Sequence, residues 1–304
     1  ADQSVDSYVI GIDKATGTVR WKTMRPEAKS GHSTPIVWTN AKGEREILLP
    51  GSFLLIAYDA KTGAKKWWTS GLSFEMKSVP VVGKVGGADM LFINGYGSPE
   101  NDPGRLLNPG ETADVFAKQD ADKNGTLEPA ELPSDHAKGW LVVYDLDNSG
   151  HVTPAEWDYY RAALASRNGM LAIRLGGEGD MTEENVVWQY QRSVPQLPSP
   201  LLYEGVLYMV NDGGIVTTLN PATGEVLKQG RIPGAIDRYY ASPVAGDGKV
   251  YMTSEKGKIA VLRPDGSLEP VAVNDIGEDT YATPALADGR IYVRSINTLF
   301  AFGK

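Results

Sequence analysis

Two stretches of twelve residues carry oxygen-bearing side chains at matching positions. In the first, Asp120, Asp122, Asn124, Glu128 and Glu131 stand at positions 1, 3, 5, 9 and 12, with Gly125 at position 6 and Thr126 at position 7. In the second, Asp145, Asp147, Ser149, Thr153 and Glu156 stand at the same positions, with Gly150 and His151 at 6 and 7. Calcium is a hard cation that takes about six to eight oxygen ligands, and a twelve-residue loop is long enough to wrap such a set around one ion. The chemistry this spacing suits is therefore cation coordination, not acid–base catalysis.

Both stretches resemble the EF-hand loop at every liganding position. The resemblance implies two calcium ions and a role for each residue. Asp120, Asp122 and Asn124 would bind through side chains, Thr126 through its carbonyl, Glu128 directly or through water, and Glu131 as the bidentate closing ligand. In the second loop the same roles fall to Asp145, Asp147, Ser149, the His151 carbonyl, Thr153 through water, and Glu156. Gly125 and Gly150 make the sharp bends. Leu127 and Val152, at position 8 of each, are expected to meet in a short β bridge that pairs the loops. The plain alternative is an acidic surface loop that holds no ion.

The elements that must position these residues are also legible. Phe116 before the first loop, and Trp157, Tyr160 and Leu164 after the second, have helical spacing and would form an apolar base. Thr153-Pro154-Ala155-Glu156 reads as a helix start with proline in its first turn. Only residues 132–144 separate the loops, and Pro133 should stop the first outgoing helix early. A compact pair of this kind suits a structural or affinity-tuned site better than a large opening switch. The extra carboxylate of Glu128 leads to the expectation that the first loop binds more tightly.

The charge of the chain is concentrated around these loops. Of a net −8, residues 98–168 hold 13 acidic against 6 basic side chains, which leaves 25 against 24 elsewhere. A nucleic-acid groove needs a basic face, so no nucleic-acid partner is expected. No apolar stretch approaches the roughly 20 residues of a membrane span, and the first seven residues show no basic-then-apolar export segment. A soluble chain whose export signal was removed or never included is the expectation. The absence of cysteine excludes disulfides and thiolate ligands.

Outside residues 98–168 the chain repeats itself. Five short anchors, Ser33-Thr34-Pro35, Ser78-Val79-Pro80, Pro198-Ser199-Pro200, Ala241-Ser242-Pro243 and Ala282-Thr283-Pro284, have prolines 45, 120, 43 and 41 residues apart. Removing the 71 residues of 98–168 reduces the long gap to 49. A period of about 40–50 residues suits four-stranded propeller blades. Second strands such as Val206–Tyr208, Val250–Met252 and Ile291–Val293 follow, two of them entered through Asp247-Gly248 and Asp288-Gly289 hairpin turns. Third strands are read around Ile10, Ile56, Leu171, Val216, Ile259 and Leu299.

The turn after the third strand is the most specific signature. Ala57-Tyr58-Asp59-Ala60-Lys61-Thr62-Gly63 is followed by Trp67, Asp13 to Gly17 is followed by Trp21, and Asn220 to Gly224 is followed by Lys228 at that place. Asp or Asn can bond the turn backbone, Gly supplies a positive φ, and the tryptophan can pack between blades. Here the chain resembles the PQQ-like propeller repeat of quinoprotein dehydrogenases and of scaffolds of the outer-membrane assembly type. The resemblance implies an all-β fold: a β-propeller of four-stranded blades, with about six blade units and a small α-helical insertion. The expected domains are 1–97 (blades), 98–168 (EF-hand pair) and 169–304 (blades). The first unit offers only a third and fourth strand and the last only a first, second and third. That is compatible with an arc of an eight-bladed ring; a closed six-bladed ring with one irregular blade is the alternative.

Two classes of function follow from the resemblance. One is a non-catalytic, calcium-binding scaffold for a protein or carbohydrate partner outside the cytoplasm, extracellular or periplasmic, either alone or as a subunit of a larger secreted assembly. The other is a PQQ-dependent dehydrogenase, and PQQ is the less expected ligand because the adjacent cysteine pair usual over that cofactor is missing. Residues ahead of the anchors, His32, Lys77, Arg238, Tyr240 and Tyr281, could ring one mouth of the propeller; ordinary loop surface is the simpler reading. His32, His136 and His151 do not form a metal cluster by spacing, and no serine–histidine–acid spacing is present.

Overall fold

A computed structural model describes residues 7–96, 108–166 and 168–303. Its strands form six small sheets met one after another along the chain. The first sheet is the hairpin of β1 (Tyr8–Ile12) and β2 (Val19–Met24). The second holds β3 (Ile36–Thr39), β4 (Arg45–Pro50), β5 (Leu55–Asp59) and β6 (Lys65–Thr69) as an antiparallel meander. The third opens with β7 (Val81–Val85) and β8 (Ala88–Gly95) and is then interrupted by three helices, α1 (Thr112–Gln119), α2 (Asp135–Tyr144) and α3 (Pro154–Ala165). It resumes with β9 (Gly169–Arg174), whose Gly169 pairs with Gly95 of β8, so the two ends of the interruption lie side by side.

Between β9 and the last strand of this sheet lie a two-residue strand, β10 (Gly179–Asp180), and a short helix, α4 (Thr182–Asn185). β10 pairs in parallel with β6 of the preceding sheet, a crossing the sequence pattern did not announce. β11 (Val186–Tyr190) completes the third sheet. The fourth consists of β12 (Leu201–Tyr203), β13 (Val206–Val210), β14 (Val216–Leu219) and β15 (Val226–Gly230), and the fifth of β16 (Val244–Gly246), β17 (Lys249–Thr253), β18 (Lys258–Leu262) and β19 (Pro270–Asp275). The sixth has three strands, β20 (Ala285–Ala287), β21 (Arg290–Arg294) and β22 (Leu299–Gly303). All six expected third strands are present as β1, β5, β9, β14, β18 and β22.

Local chemistry explains the repeat. Asp13 Oδ1 accepts from the backbone N–H groups of Ala15 and Thr16 and from the Thr16 hydroxyl, all at 3.0 Å. Asp59 does the same for Lys61, Thr62 and the Thr62 hydroxyl at 2.7–2.9 Å. Gly17, Gly63 and Gly224 close these turns at φ of 72°, 76° and 73°, the left-handed region that a side chain resists. The hairpin turns Asp247-Gly248 and Asp288-Gly289 have positive φ at both central residues, as the right-handed twist of the strands requires.

The sheets are joined face to face by apolar layers. Trp67, Leu91, Ile93, Leu171 and Ile173 fill one layer between the second and third sheets, and Phe92, Met170, Leu207, Met209 and Leu219 fill the next. Tryptophans seal two of the seams from the edge. Trp21 lies on the turn of the second sheet, where a Cβ at Gly63 would come within 2.4 Å of its ring, and its indole N–H donates to the Ala60 carbonyl at 3.3 Å. Trp188, on β11, lies in the same way on Gly224 and donates to the Pro221 carbonyl at 3.1 Å.

The anchors form a second seam. Val79 N–H donates to Ser199 Oγ at 2.8 Å, Ser199 N–H to Ser242 Oγ at 2.9 Å, and Ser242 N–H to Thr283 Oγ1 at 3.0 Å. Ser199, Ser242 and Thr283, each just before an anchor proline, thus receive the amide of their counterpart one sheet earlier. Position 79 is valine and has no hydroxyl to offer; between the second and third sheets Ser33 Oγ instead donates to the Ser78 carbonyl at 2.7 Å. No helix among the described residues is long and apolar enough to cross a membrane.

Candidate metal centre

Helix ends deliver the acidic loops. Asp120 caps the C-terminus of α1, its N–H donating to the Phe116 carbonyl at 3.1 Å, and Asp145 caps α2 by donating to the Leu141 carbonyl at 2.8 Å. At the far end of the second loop, Thr153 and Glu156 form a reciprocal capping box that starts α3, with Pro154 in the first turn. After the first loop the chain makes only a turn, Glu131 N–H to the Glu128 carbonyl at 2.8 Å, before Pro133 and the Ser134 cap of α2. The N–H missing from proline and the caps on both sides shorten this exit, as expected. The loops pair through reciprocal bonds between Leu127 and Val152, each 2.9 Å.

The two loops carry the same bonds from backbone amides to side chains, position for position. The first carboxylate accepts from the amides of positions 5 and 6: Asp120 from Asn124 and Gly125 at 3.2 and 3.0 Å, Asp145 from Ser149 and Gly150 at 3.0 and 2.9 Å. The closing carboxylate accepts from positions 2 and 9: Glu131 from Ala121 and Glu128 at 2.8 and 3.1 Å, Glu156 from Leu146 and Thr153 at 2.7 and 2.8 Å. Lys123 and Asn148, both at position 4, share a positive φ near 58°, and Gly125 and Gly150 follow at 87° and 77°. These bonds fold each loop inward and aim its carboxylates at one point.

In each loop three carboxylates converge. Asp120, Asp122 and Glu131 offer oxygens that all lie within 4.8 Å of one another, and so do Asp145, Asp147 and Glu156. Asp145 and Glu156 are buried, at 8% and 4% exposure. Like charges at this separation, withdrawn from water, oppose one another unless a cation or a proton joins them. An oxygen-only donor set of three carboxylates has the hardness and charge that suit calcium.

The remaining candidates are not gathered to the same point. Asn124 Oδ1 accepts from the Thr126 amide and hydroxyl at 2.8 and 2.7 Å, while its Nδ2 donates to Asp122 and Glu128 at 3.0 Å each. Ser149 Oγ donates to the His151 carbonyl at 3.2 Å, and Thr153 Oγ1 donates to Glu156 at 2.8 Å. Glu128 leans toward the other loop, 3.4 Å from His151 Nδ1. A hydrogen bond shared with Glu131, then the Asn124 amide, holds the Glu128 carboxyl below its usual range. The Ser149 hydroxyl and amide do the same for Asp147.

The apolar base is built as the helical spacing predicts. Trp157, Tyr160 and Leu164 are buried with Leu127 and Val152, Phe116 packs at the margin, and Tyr144 stacks on Tyr160 at 4.4 Å. Burial raises the Tyr144 phenol, which donates to the Ala137 carbonyl at 2.9 Å. This core is continuous with the second sheet through Leu49, Phe53, Ile56 and Tyr58.

At the suggested mouth, the rings of Tyr240 and Tyr281 lie 5.4 Å apart and the Arg238 guanidinium sits 5.6 Å from the Tyr240 centroid. Lys77 pairs with Glu75 at 2.6 Å, and His32 enters through its backbone amide, which donates to the Met76 carbonyl at 2.8 Å. His136 stacks on Trp140 at 5.1 Å and its Nδ1 lies 2.6 Å from the Tyr160 hydroxyl, a packed histidine in the helical core.

The family described as outer membrane protein assembly factor BamB matches residues 161–304, just under half of the chain. Among solved structures, BBS1N in complex with ARL6DN aligns over 98% of this chain and 72% of that chain, with TM-score 0.54 and 9% identity. The fold is a β-propeller. The computationally designed Ika8 protein aligns over 95% of this chain and 63% of that one, with TM-score 0.50 and 8% identity. BamB from Moraxella catarrhalis aligns over 100% and 67%, with TM-score 0.49 and 16% identity. No curated protein matches the chain. At these identities the likeness to solved structures concerns the propeller fold alone.

Proposed function

We propose that residues 98–168 are an EF-hand pair that holds two calcium ions and that the propeller carrying it is a non-catalytic scaffold. The observation that carries this reading is the duplicated bonding pattern: two loops of different sequence adopt the same backbone turns and the same inward hydrogen bonds, and each converges three carboxylates. Asp120, Asp122 and Glu131 would hold one ion, and Asp145, Asp147 and Glu156 the other. The carbonyls of Thr126 and His151 would complete each set, with Asn124, Glu128, Ser149 and Thr153 bound directly or through water after small rotations away from their present partners. Bound calcium supplies charge neutralisation and rigidity; the chain supplies the oxygens and their spacing.

The scaffold reading draws on the family match, whose description is that of an assembly factor of the outer membrane, and on a propeller neighbour determined in complex with another protein. On this reading the partner is a protein or a carbohydrate, the location extracellular or periplasmic, and membership of a larger secreted assembly is compatible. Calorimetric titration of the wild type with calcium is expected to give two binding events. Glu131→Gln and Glu156→Gln should each remove one, and the double variant both. A wild type that takes up no calcium at millimolar concentration would sink the reading.

A further inference from the structure

The two acidic loops differ in what lies behind them. The hydrogen bonds of the first loop, among the described residues, stay within the helical insertion. The second loop is held by the propeller at its start and through the helix that follows it. At its start, Lys29 Nζ donates to the backbone carbonyl of Asp145 at 3.1 Å, across 116 residues of chain. At its close, Tyr159, one helical turn beyond Glu156, meets Phe53 edge to face at 5.6 Å.

These two contacts are linked through the turn between β4 and β5 of the second sheet. Phe53 sits in the turn between β4 and β5 with a φ of 65°, a left-handed conformation that a bulky side chain adopts only when its surroundings impose it. Its backbone is fixed on both sides, N–H to the Ser73 carbonyl and carbonyl to the Leu72 amide, each 3.1 Å. Its ring is 1% exposed between Phe74 and Tyr159. The segment bearing Lys29 is tied to the same turn by Ser52, whose Oγ accepts from the Ser30 amide at 2.9 Å and donates to the Ser30 carbonyl at 3.2 Å. One corner of the propeller therefore touches the first residue of the second loop and the helix that leads out of it.

We infer that Lys29 and Phe53 are positioning residues for a calcium site in the second loop: the propeller preorganises that loop, and its ion in turn fixes the insertion onto the second sheet. The inference rests on the calcium reading and adds an order of affinity to it. A loop held in its binding geometry loses less freedom on taking up the ion, so the second loop binds more tightly than the first despite lacking a counterpart to Glu128. Linkage requires the reverse effect: calcium in the second loop must stabilise its contacts with the sheet by the same factor.

Lys29 makes the test directional. A cation beside the loop repels calcium, so if charge alone mattered, Lys29→Met would tighten binding; if the lysine positions the loop, the same change weakens it. Calorimetry with calcium is run on Glu131→Gln, which leaves the second loop, and on Glu156→Gln, which leaves the first. Adding Lys29→Met, or Phe53→Leu as a variant that keeps an apolar side chain, is expected to weaken the second loop at least three-fold and the first less than two-fold, with Lys29→Arg restoring the second. In millimolar calcium the rise in unfolding midpoint of Glu131→Gln should shrink with either change. Unchanged or tighter binding at the second loop, or equal weakening at both, overturns the inference. A wild type that binds calcium at neither loop fails the underlying reading instead, and the inference goes with it.

Discussion

The ladder of anchor hydroxyls gives the sharpest test of how the blades are held together. Ser199→Ala removes the oxygen that accepts the Val79 amide at 2.8 Å, at a half-buried position where water cannot fully replace it. An amide left without a partner costs about 1–2 kcal/mol. Ser242→Ala removes the acceptor of the Ser199 amide at 2.9 Å, also half-buried, and should cost about the same. Thr283→Val keeps the shape of the side chain but strands the Ser242 amide at an exposed position, where hydration should limit the loss to about 0.5 kcal/mol. The break in the ladder makes the opposite prediction. Val79→Thr inserts the missing hydroxyl without changing volume and should be neutral or stabilise by up to about 1 kcal/mol. The assay is urea unfolding followed by tryptophan fluorescence, at fixed calcium so that ligand linkage does not move the midpoint. Equal costs at positions 199 and 283, or a loss of more than about 1 kcal/mol in Val79→Thr, would refute the idea that these hydroxyls act through the amide of the preceding blade.

Two other substitutions probe the turns. Trp188→Ala should cost about 3–5 kcal/mol, because it empties the seam over Gly224 and leaves the Pro221 carbonyl without its indole donor; thermal unfolding of the variant checks it. Asp59→Asn tests pH dependence: hydrogen bonds from Thr62, its hydroxyl first, hold the Asp59 carboxyl below its ordinary value of 3.8. A depressed folded value means the stabilisation is present above that ordinary value and is lost as pH falls through the folded one. The variant, whose amide can serve the turn as Asn220 does, should therefore lose about 0.5 kcal/mol at pH 7, with the gap to wild type closing below about pH 4 in urea midpoints taken across that range.

What was legible in the sequence is what neighbouring residues decide. Alternation and turn chemistry placed the third strands around Ile10, Ile56, Leu171, Val216, Ile259 and Leu299, and the position-8 residues Leu127 and Val152 meet as their spacing requires. Trp188 carries no such signal, because its turn has no Asp-x-x-Thr-Gly ahead of it, although Val186–Tyr190 alternates as a fourth strand does. The parallel pairing of Gly179 and Asp180 with β6 has no apolar pattern behind it. Phe53 was invisible for a different reason: a positive φ at phenylalanine runs against local preference and is imposed by packing from distant chain. Lys29 likewise looks like surface until the fold sets it beside Asp145. In the loops, spacing announced the carboxylates, whereas the present orientations of Asn124, Ser149 and Glu128 follow from competing hydrogen bonds that spacing does not encode.

The adjacency of Gly95 and Gly169 also says how such a chain can be elaborated. Because the strands flanking the insertion remain neighbours in one ladder, the loop-closure cost of whatever hangs between them is already met by the sheet and grows only slowly with length. The tip of that hairpin is a mounting point: cargo of a very different size, or a plain turn, could occupy it without re-registering β8 against β9, and the blade would carry the exchange as a change of fitting and not of frame.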